Sequence, residues 1–338
     1  MKLYGGIDLH SNNSVIALLD EKDRAVHQKR LANDLKLVLQ TLAPYRESIE
    51  GLVVESTYNW YWLVDGLMEA NYPVYLANTA AIVQYEGLKY GDDDSDAKWL
   101  AKLLRLGLLP TGYIYPKEDR AIRDLLRKRG QLVRQNTANL LSVQNLMARN
   151  RGESLSANNV KKLTPELVEQ LLPEPNIALA VKSNLMVMDS LSETIRLIER
   201  TVKGQIKLRP DYQRLTEISG IGTILGLTIM LETGDIHRFA KAGNYASYCR
   251  CVSSERISNG RRKGRGNAKN GNKYLAWAYV EAANFAVRYS PNVKRYYQRK
   301  KSKTNGVIAI KTVAHKLARA CYYVLRDDVP FDVNKAFT

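Results

Sequence analysis

The sequence predicts an α/β domain over residues 1–115, a helical coiled-coil connector over 116–205 and a basic, mainly α-helical domain over 206–338. Three observations carry this reading. Short apolar or β-branched runs alternate with helical periodicity in the first part, the signature of a sheet with crossing helices. A leucine-rich polar stretch then runs from Glu118 to Asn150 without a proline. Residues 241–326 hold 20 Lys and Arg against only Glu255 and Glu281, while the rest of the chain nets −1 of a total of +17. At 338 residues there is material for two or three separate cores.

Taken in order, Leu3–His10, Ser14–Asp20 and Arg24–Leu31 are three strands separated by turn-like residues, an antiparallel meander opening a mixed sheet. A helix is expected over Asn33–Ala43, a strand over Gly51–Ser56, a helix over Asn59–Ala70, a strand over Pro73–Leu76 and a helix over Thr79–Leu88, giving the order βββαβαβα. The run DDDSDAKWLAKLLRLG reads as a capped amphipathic helix, followed by a short run at Thr111–Tyr115. In the long stretch that follows, Leu125, Leu132, Val133, Leu140, Leu141 and Met147 form an apolar stripe for a core, a partner helix or a second subunit. Pro165, Pro173 and Pro175 interrupt helical periodicity over 151–176, and a second helix runs over 177–203. Beyond Arg209, Gly220, Ile221 and Gly222 separate two apolar helical stretches, the layout of a helix-hairpin-helix turn. Glycines there let backbone N–H groups face a phosphate at the next helix start, or merely tighten the turn. A polar, basic loop over Ser253–Leu275 precedes helices at Ala276–Arg288 and Val307–Leu325.

Composition excludes several classes. Hydrophobic residues at 45% and charged residues at 25% are ordinary for a globular protein, so whole-chain disorder and fibrous repeats are excluded. No apolar run has the roughly 18 residues of a membrane span, and MKLYGGIDLH lacks the layout of a signal peptide, so a cytoplasmic protein is expected. Cys249, Cys251 and Cys321 with four histidines match no zinc spacing and read as reduced core thiols. No phosphate-binding loop of the P-loop type is present. The aromatic set Tyr58, Trp60, Tyr61 and Trp62 reads as core.

The localised positive charge attracts polyphosphates, because each phosphate neutralised by Lys or Arg releases counterions. Nucleic acid is therefore the leading partner, with Tyr, Trp, Gly and Asn interleaved among the cations. Lys269, Asn270, Asn272, Lys273 and Tyr274 are placed to follow a phosphate backbone, and Tyr296, Tyr297, Arg299, Lys300 and Lys301 form a basic helix end with stacking rings.

Four carboxylates stand out by position: Asp8 ends the first strand, Glu55 ends the fourth, and Asp93 and Asp96 share the first turn of a helix. Such acids converge in this kind of fold. Hard oxygen ligands suit Mg²⁺ or Mn²⁺ and, without a His or Cys set beside them, argue against zinc. A pair of such ions activates an attacking oxygen and stabilises a leaving one in phosphodiester cleavage. Taken singly, each acid is an ordinary turn or capping residue.

GIDLH, the VVES that carries Glu55, and Asp93-Asp94-Ser95-Asp96-Ala97 resemble the acidic tetrad of the DEDD transposases of the insertion sequence 110 family, whose first domain is similar to RuvC resolvases of the ribonuclease H-like fold. Ser219–Gly222, Phe239–Cys251 and Glu255–Leu275 resemble that family's C-terminal transposase domain. The resemblance implies a RuvC-like first domain holding metal through Asp8, Glu55, Asp93 and Asp96. It also implies a serine nucleophile, Ser258 of Ser258-Asn259-Gly260, with Arg261, Arg262, Lys263 and Arg265 beside the scissile phosphate. Ser253 and Ser254 lie close to it, and Ile257 departs from the family pattern. Implied partners are donor and target DNA, a structured noncoding bridge RNA pairing with both, and further copies of the chain in a dimer or tetramer, with no membrane. Two other readings share the acids: a junction-resolving nuclease that activates water, and a non-catalytic nucleic-acid-binding protein.

Overall fold

Leu3–Leu9 (β1) is buried at six of seven positions and Asn13–Leu19 (β2) at six of seven, so both faces of these strands need cover. The computed structural model describes residues 1–82, 93–206, 209–252, 255–265 and 270–337, which divide into two compact units, Met1–Lys117 and Glu118–Thr338.

The first unit is a six-stranded mixed sheet. β1, β2 and Ala25–Ala32 (β3) form the antiparallel meander; Leu35–Leu42 (α1) follows, its start capped by Asp34, whose carboxylate accepts from Lys36 N and Leu37 N. Ile49–Glu55 (β4) returns parallel to β1, Tyr61–Glu69 (α2) crosses over, and Val74–Ala77 (β5) extends the parallel part. Asp93–Arg105 (α3) is followed by the two-residue strand Thr111–Gly112 (β6), antiparallel to β5. The sheet order is β3-β2-β1-β4-β5-β6. The central strands do not alternate between apolar and polar residues because helices cover both faces: α1 and α2 cover one through Val38, Leu42, Leu63 and Leu67, while α3 covers the other through Ala97, Leu100 and Leu103. Of the expected helix at Thr79–Leu88, Thr79–Ala81 forms a single 3₁₀ turn, and 83–92 lie outside the described residues. Tyr58 is not core: it is 83% exposed in the turn after β4, whereas Trp60 is buried and Tyr61 and Trp62 pack at its edge.

In the second unit, Lys117–Arg151 (α4) and Pro175–Ile206 (α7) are long helices, with the short helices Ala157–Val160 (α5) and Pro165–Leu171 (α6) between them. The proline-rich segment thus retains helix where Ser156 and Thr164 cap it and Pro165 sits at the first helical position, where a missing N–H costs nothing. The apolar stripe of α4 serves two cores. Leu126 and Leu132 join the large one, while Val143 and Met147 pack with Val160, Val168 and Val181. Leu141 is half exposed, because neighbours on a helix lie about 100° apart and Leu140 takes the inward position.

The remaining elements are Pro210–Thr216 (α8), Thr223–Thr233 (α9), Ala242–Tyr248 (α10), the hairpin Glu255–Ser258 (β7) and Arg261–Arg265 (β8), Lys273–Tyr289 (α11), Pro291–Lys301 (α12), Gly306–Asp327 (α13) and Val333–Phe337 (α14). Tyr245, Tyr279 and Tyr322 are fully buried at their centre. The hydroxyls are satisfied: Tyr245 shares 2.8 Å hydrogen bonds with Thr233 Oγ1 and Tyr279, and Tyr322 donates to the Phe239 carbonyl at 2.8 Å. Cys249 and Cys321 are buried free thiols in this core, and Cys251 is a half-buried one. No helix among the described residues is long and apolar enough to cross a membrane.

Candidate active site

Asp8 and Glu55 stand at the carboxyl ends of the adjacent parallel strands β1 and β4, one step beyond the paired Ile7 and Val54. Side-chain bonds tie the two strand exits together: Asn33 Nδ2 and Asn59 Nδ2 both donate to the His10 carbonyl at 2.9 Å, and Thr57 Oγ1 donates to Asn59 Oδ1 at 2.9 Å. The third acid arrives on α3. Gly6 makes that approach close, since a Cβ there would collide with the backbone carbonyl of Ala97 and come within 2.8 Å of the Ala101 nitrogen. Ala97, fully buried, is the matching small residue on the helix.

Asp8 is 3% exposed, and among the described residues no hydrogen bond of good geometry reaches its Oδ2. The Glu55 carboxyl is pushed up to about 8 by burial first, then by its hydrogen bond to Asp8 and by the negative charges of Asp8 and Asp96. Glu55 therefore feels the negative charge of both Asp8 and Asp96. Asp93 opens α3, but its side chain lies outside the described residues. His10, which residue typing passes over, places Nε2 at 3.2 Å from Asp8 Oδ2, an ion pair when the imidazole is protonated. The signal for it was the spacing Asp8-x-His10, which puts both on one side of an extended chain.

Among the described residues no three His, Cys, Asp or Glu side chains are gathered tightly enough to enclose an ion by themselves. That is still a fitting arrangement for Mg²⁺ or Mn²⁺, since Mg²⁺ is commonly held by one or two carboxylates, waters and substrate phosphates rather than by an all-protein cage. The all-oxygen set, a buried acceptor on Asp8 and mutual repulsion that a cation would relieve agree with such a site.

Ser258 belongs to the second unit, in a segment whose polar composition reads as a loop. It is the last residue of β7 and pairs with Arg261 across a two-residue turn. Asn259 and Gly260 both have positive φ, 51° and 68°, as a type I′ hairpin turn requires. Asn-Gly is the strongest short hairpin signal, and the polar, glycine-rich flanks obscure it. Ser258, Arg261 and Lys263 are exposed; the side chains of Arg262 and Arg265, and all of Ser253, Ser254 and Lys269, lie outside the described residues.

Gly220 adopts φ 97° and packs so tightly on α11 that a Cβ would overlap the Ala282 carbonyl and come within 2.6 Å of the Ala286 nitrogen. Its glycine is explained by helix packing. Gly222, at the N-cap of α9, has open space where a Cβ would stand. On α12, Arg299 and Lys300 lie over the buried Tyr296 ring at 5.5 and 5.8 Å, with Lys316 at 5.0 Å. Burial, then the neighbouring charges of Lys300, Arg299 and Arg319, hold the Lys316 ammonium below the usual lysine range. Lys273 opens α11 and is exposed.

Residues 5–149 match the family model of DEDD transposases of the IS110 type, and residues 212–298 match the Transposase IS116/IS110/IS902 family. Together the two matches take in more than half of the sequence in the expected order, and the chain belongs to the IS110 family of transposases. It is also similar to the transposase for insertion sequence element IS1111A of Coxiella burnetii (strain RSA 493 / Nine Mile phase I), at 24% identity over 180 residues. That alignment covers 52% of this chain and 49% of the relative, so the match spans about half of the relative's length.

Proposed function

We propose that the protein is a DNA recombinase of an insertion sequence, cutting and rejoining strands through a phosphoserine ester. The observation that carries the reading is the gathering of acids around Glu55, with Asp8 at the end of the adjacent parallel strand and Asp96 on α3, which together with burial raise Glu55 to about 8. In this reading the first unit is RuvC-like, and Asp8, Glu55, Asp93 and Asp96 hold Mg²⁺ or Mn²⁺, which supplies charge neutralisation at the phosphate. Asn33 and Asn59 both hold the His10 carbonyl, which keeps the backbone just beyond Asp8 in place before substrate arrives.

Ser258 is the proposed nucleophile. Its hydroxyl gives up a proton, Oγ forms a bond to phosphorus, and the bond from phosphorus to one deoxyribose oxygen breaks, that oxygen leaving as a hydroxyl. The phosphoserine ester keeps the bond energy for rejoining to a new strand. The exposed hairpin tip offers Ser258 to a duplex, and Arg261 and Lys263 beside it supply positive charge. A bridge RNA pairing with donor and target DNA reads sequence in this account, while the protein reads backbone and shape, as in other RNA-guided systems. Strand exchange between two duplexes calls for several nucleophiles and hence a dimer or tetramer.

The test mixes protein, Mg²⁺, RNA transcribed from the DNA flanking the gene and end-labelled donor and target DNA, followed by a denaturing protein gel. Label should stay with the wild-type protein, require Mg²⁺ and vanish in Ser258→Ala. Cleavage at full rate without any adduct would instead identify a hydrolytic nuclease run by the acids alone.

A further inference from the structure

In the second unit, α4, α9 and the start of α11 enclose a cleft of about 510 Å³, within the size range of small-ligand sites. We propose that this cleft receives one unstacked nucleotide of a single-stranded segment of the nucleic acid that the protein handles. The proposal rests on the reading of the chain as a nucleic-acid enzyme, and it assigns a binding place separate from the acids and from Ser258.

Three features select a nucleotide. The first is charge: Arg123, Arg127, Arg129, Arg134 and Lys273 line the cleft against a single carboxylate, Glu232. The second is its division into a fixed floor and an open rim. On the floor, Glu232 is buried and accepts from Arg127 Nη2 at 2.7 Å, Arg123 Nε at 3.3 Å and Asn272 Nδ2 at 2.7 Å. Asn272 in turn caps α11, its Oδ1 accepting from Tyr274 N at 2.8 Å and Leu275 N at 3.1 Å, so this cluster locks the floor to the helix that forms the wall. Arg129 is taken by Glu199 at 2.7 Å. Arg134 and Lys273 remain at the rim, exposed, and neither forms an ion pair among the described residues.

The third feature is the flat apolar surface. Trp277 on α11 is 43% exposed and lines the cleft, although an indole of this size is normally covered. Tyr274 is already stacked under the Arg127 guanidinium at 4.3 Å, which holds that ring in place. Gly130, in the middle of α4, leaves room on the opposite wall; an added Cβ would meet only Arg134 Nη1, at 3.7 Å. Glycine inside a helix is unfavourable, so its position facing the opening fits a space that must stay clear. A planar ring between α4 and Trp277 with its phosphate toward Arg134 and Lys273 uses all three features, whereas a bare anion would leave the indole unused.

The test measures binding of fluorescently labelled oligothymidylate and oligouridylate to the full chain, together with quenching of its tryptophan emission. Wild type should bind and be quenched. Trp277→Ala should weaken binding on the order of 10- to 100-fold, and Trp277→Phe should remove most of the quench. Arg134→Ala/Lys273→Ala should lower the salt dependence by about two ion equivalents, while Gly130→Leu, which removes no cation and no ring, should weaken binding by filling the cleft. Preference for the deoxy or the ribo strand identifies which source the nucleotide comes from. Unchanged binding and quench in Trp277→Ala and Gly130→Leu, with wild type binding normally, would overturn the cleft alone. Equal Trp277-dependent binding of oligoglutamate would overturn the nucleotide assignment in favour of an acidic peptide. Failure of wild type to bind either oligonucleotide would overturn both the cleft and the nucleic-acid reading of the chain.

Discussion

Glu55 shows how a residue's surroundings change what it can do. Its carboxyl, raised to about 8 by burial and by Asp8 and Asp96, holds its proton at neutral pH when no cation is near. A raised acid stabilises the folded state fully below its unfolded value, near 4.5, and that contribution is lost as pH rises through about 8. Without divalent metal, thermal stability should therefore fall between pH 5 and pH 9, and Glu55→Gln should flatten the fall. Added Mg²⁺ should raise the melting temperature at pH 8 in wild type and much less in Glu55→Gln, as scanning calorimetry would show. A wild-type curve with no slope over that range would remove the case for a crowded acidic site. Ser258 is the contrasting residue: it is exposed at the end of β7, and among the described residues no hydrogen bond to its hydroxyl singles it out as a nucleophile.

At the scale of elements, two glycines set helix positions. Gly6 lets α3 lie on β1, which brings Asp96 within reach of Glu55. Gly6→Ala should cost about 1–3 kcal/mol in denaturant melts and reduce activity beyond that loss, because the helix that carries two of the acids must move. Gly220→Ala combines a left-handed backbone with overlap on α11 and should cost about 2–4 kcal/mol. If Gly220→Ala melts like wild type, tight packing is not the reason for that glycine. The buried Glu232 gives a third case. Burial opposes its ionisation, but the hydrogen bond and charge of Arg127, then Arg123 and Asn272, outweigh it and hold the carboxyl below its usual range. Glu232→Ala leaves Arg123 and Arg127 without that carboxylate and should destabilise by about 3–5 kcal/mol.

The alternating strands and long helices were legible in the sequence because their periodicity is local. Strands at Leu3–Leu9, Asn13–Leu19, Ala25–Ala32 and Ile49–Glu55 lie within a few residues of where the sequence predicts them. What escaped depends on distant partners or on small signals. Tyr58 reads as core by type, yet it sits in the turn after β4 and is largely exposed. The β7–β8 hairpin was hidden because its strands are polar and arginine-rich, and only Asn259-Gly260 announced the turn. The Arg127–Glu232–Asn272 cluster joins residues 105 and 40 positions apart, which no spacing rule reaches.

For the molecule as a whole, the cations concentrated in residues 241–326 predict a binding curve dominated by counterion release. Affinity for duplex DNA should fall on the order of 10³- to 10⁵-fold between 50 and 200 mM salt if about 6–10 phosphates are neutralised, and a flat response would contradict the assignment of that segment. Ser258 is assigned as nucleophile or not by digesting the trapped protein–DNA adduct and locating the nucleotide remnant by mass spectrometry. The remnant should sit on the peptide containing Ser258, form only with Mg²⁺ and be absent from Asp8→Asn protein. A remnant on Ser253 or Ser254, or cleaved DNA with no protein-bound remnant at all, would contradict that assignment.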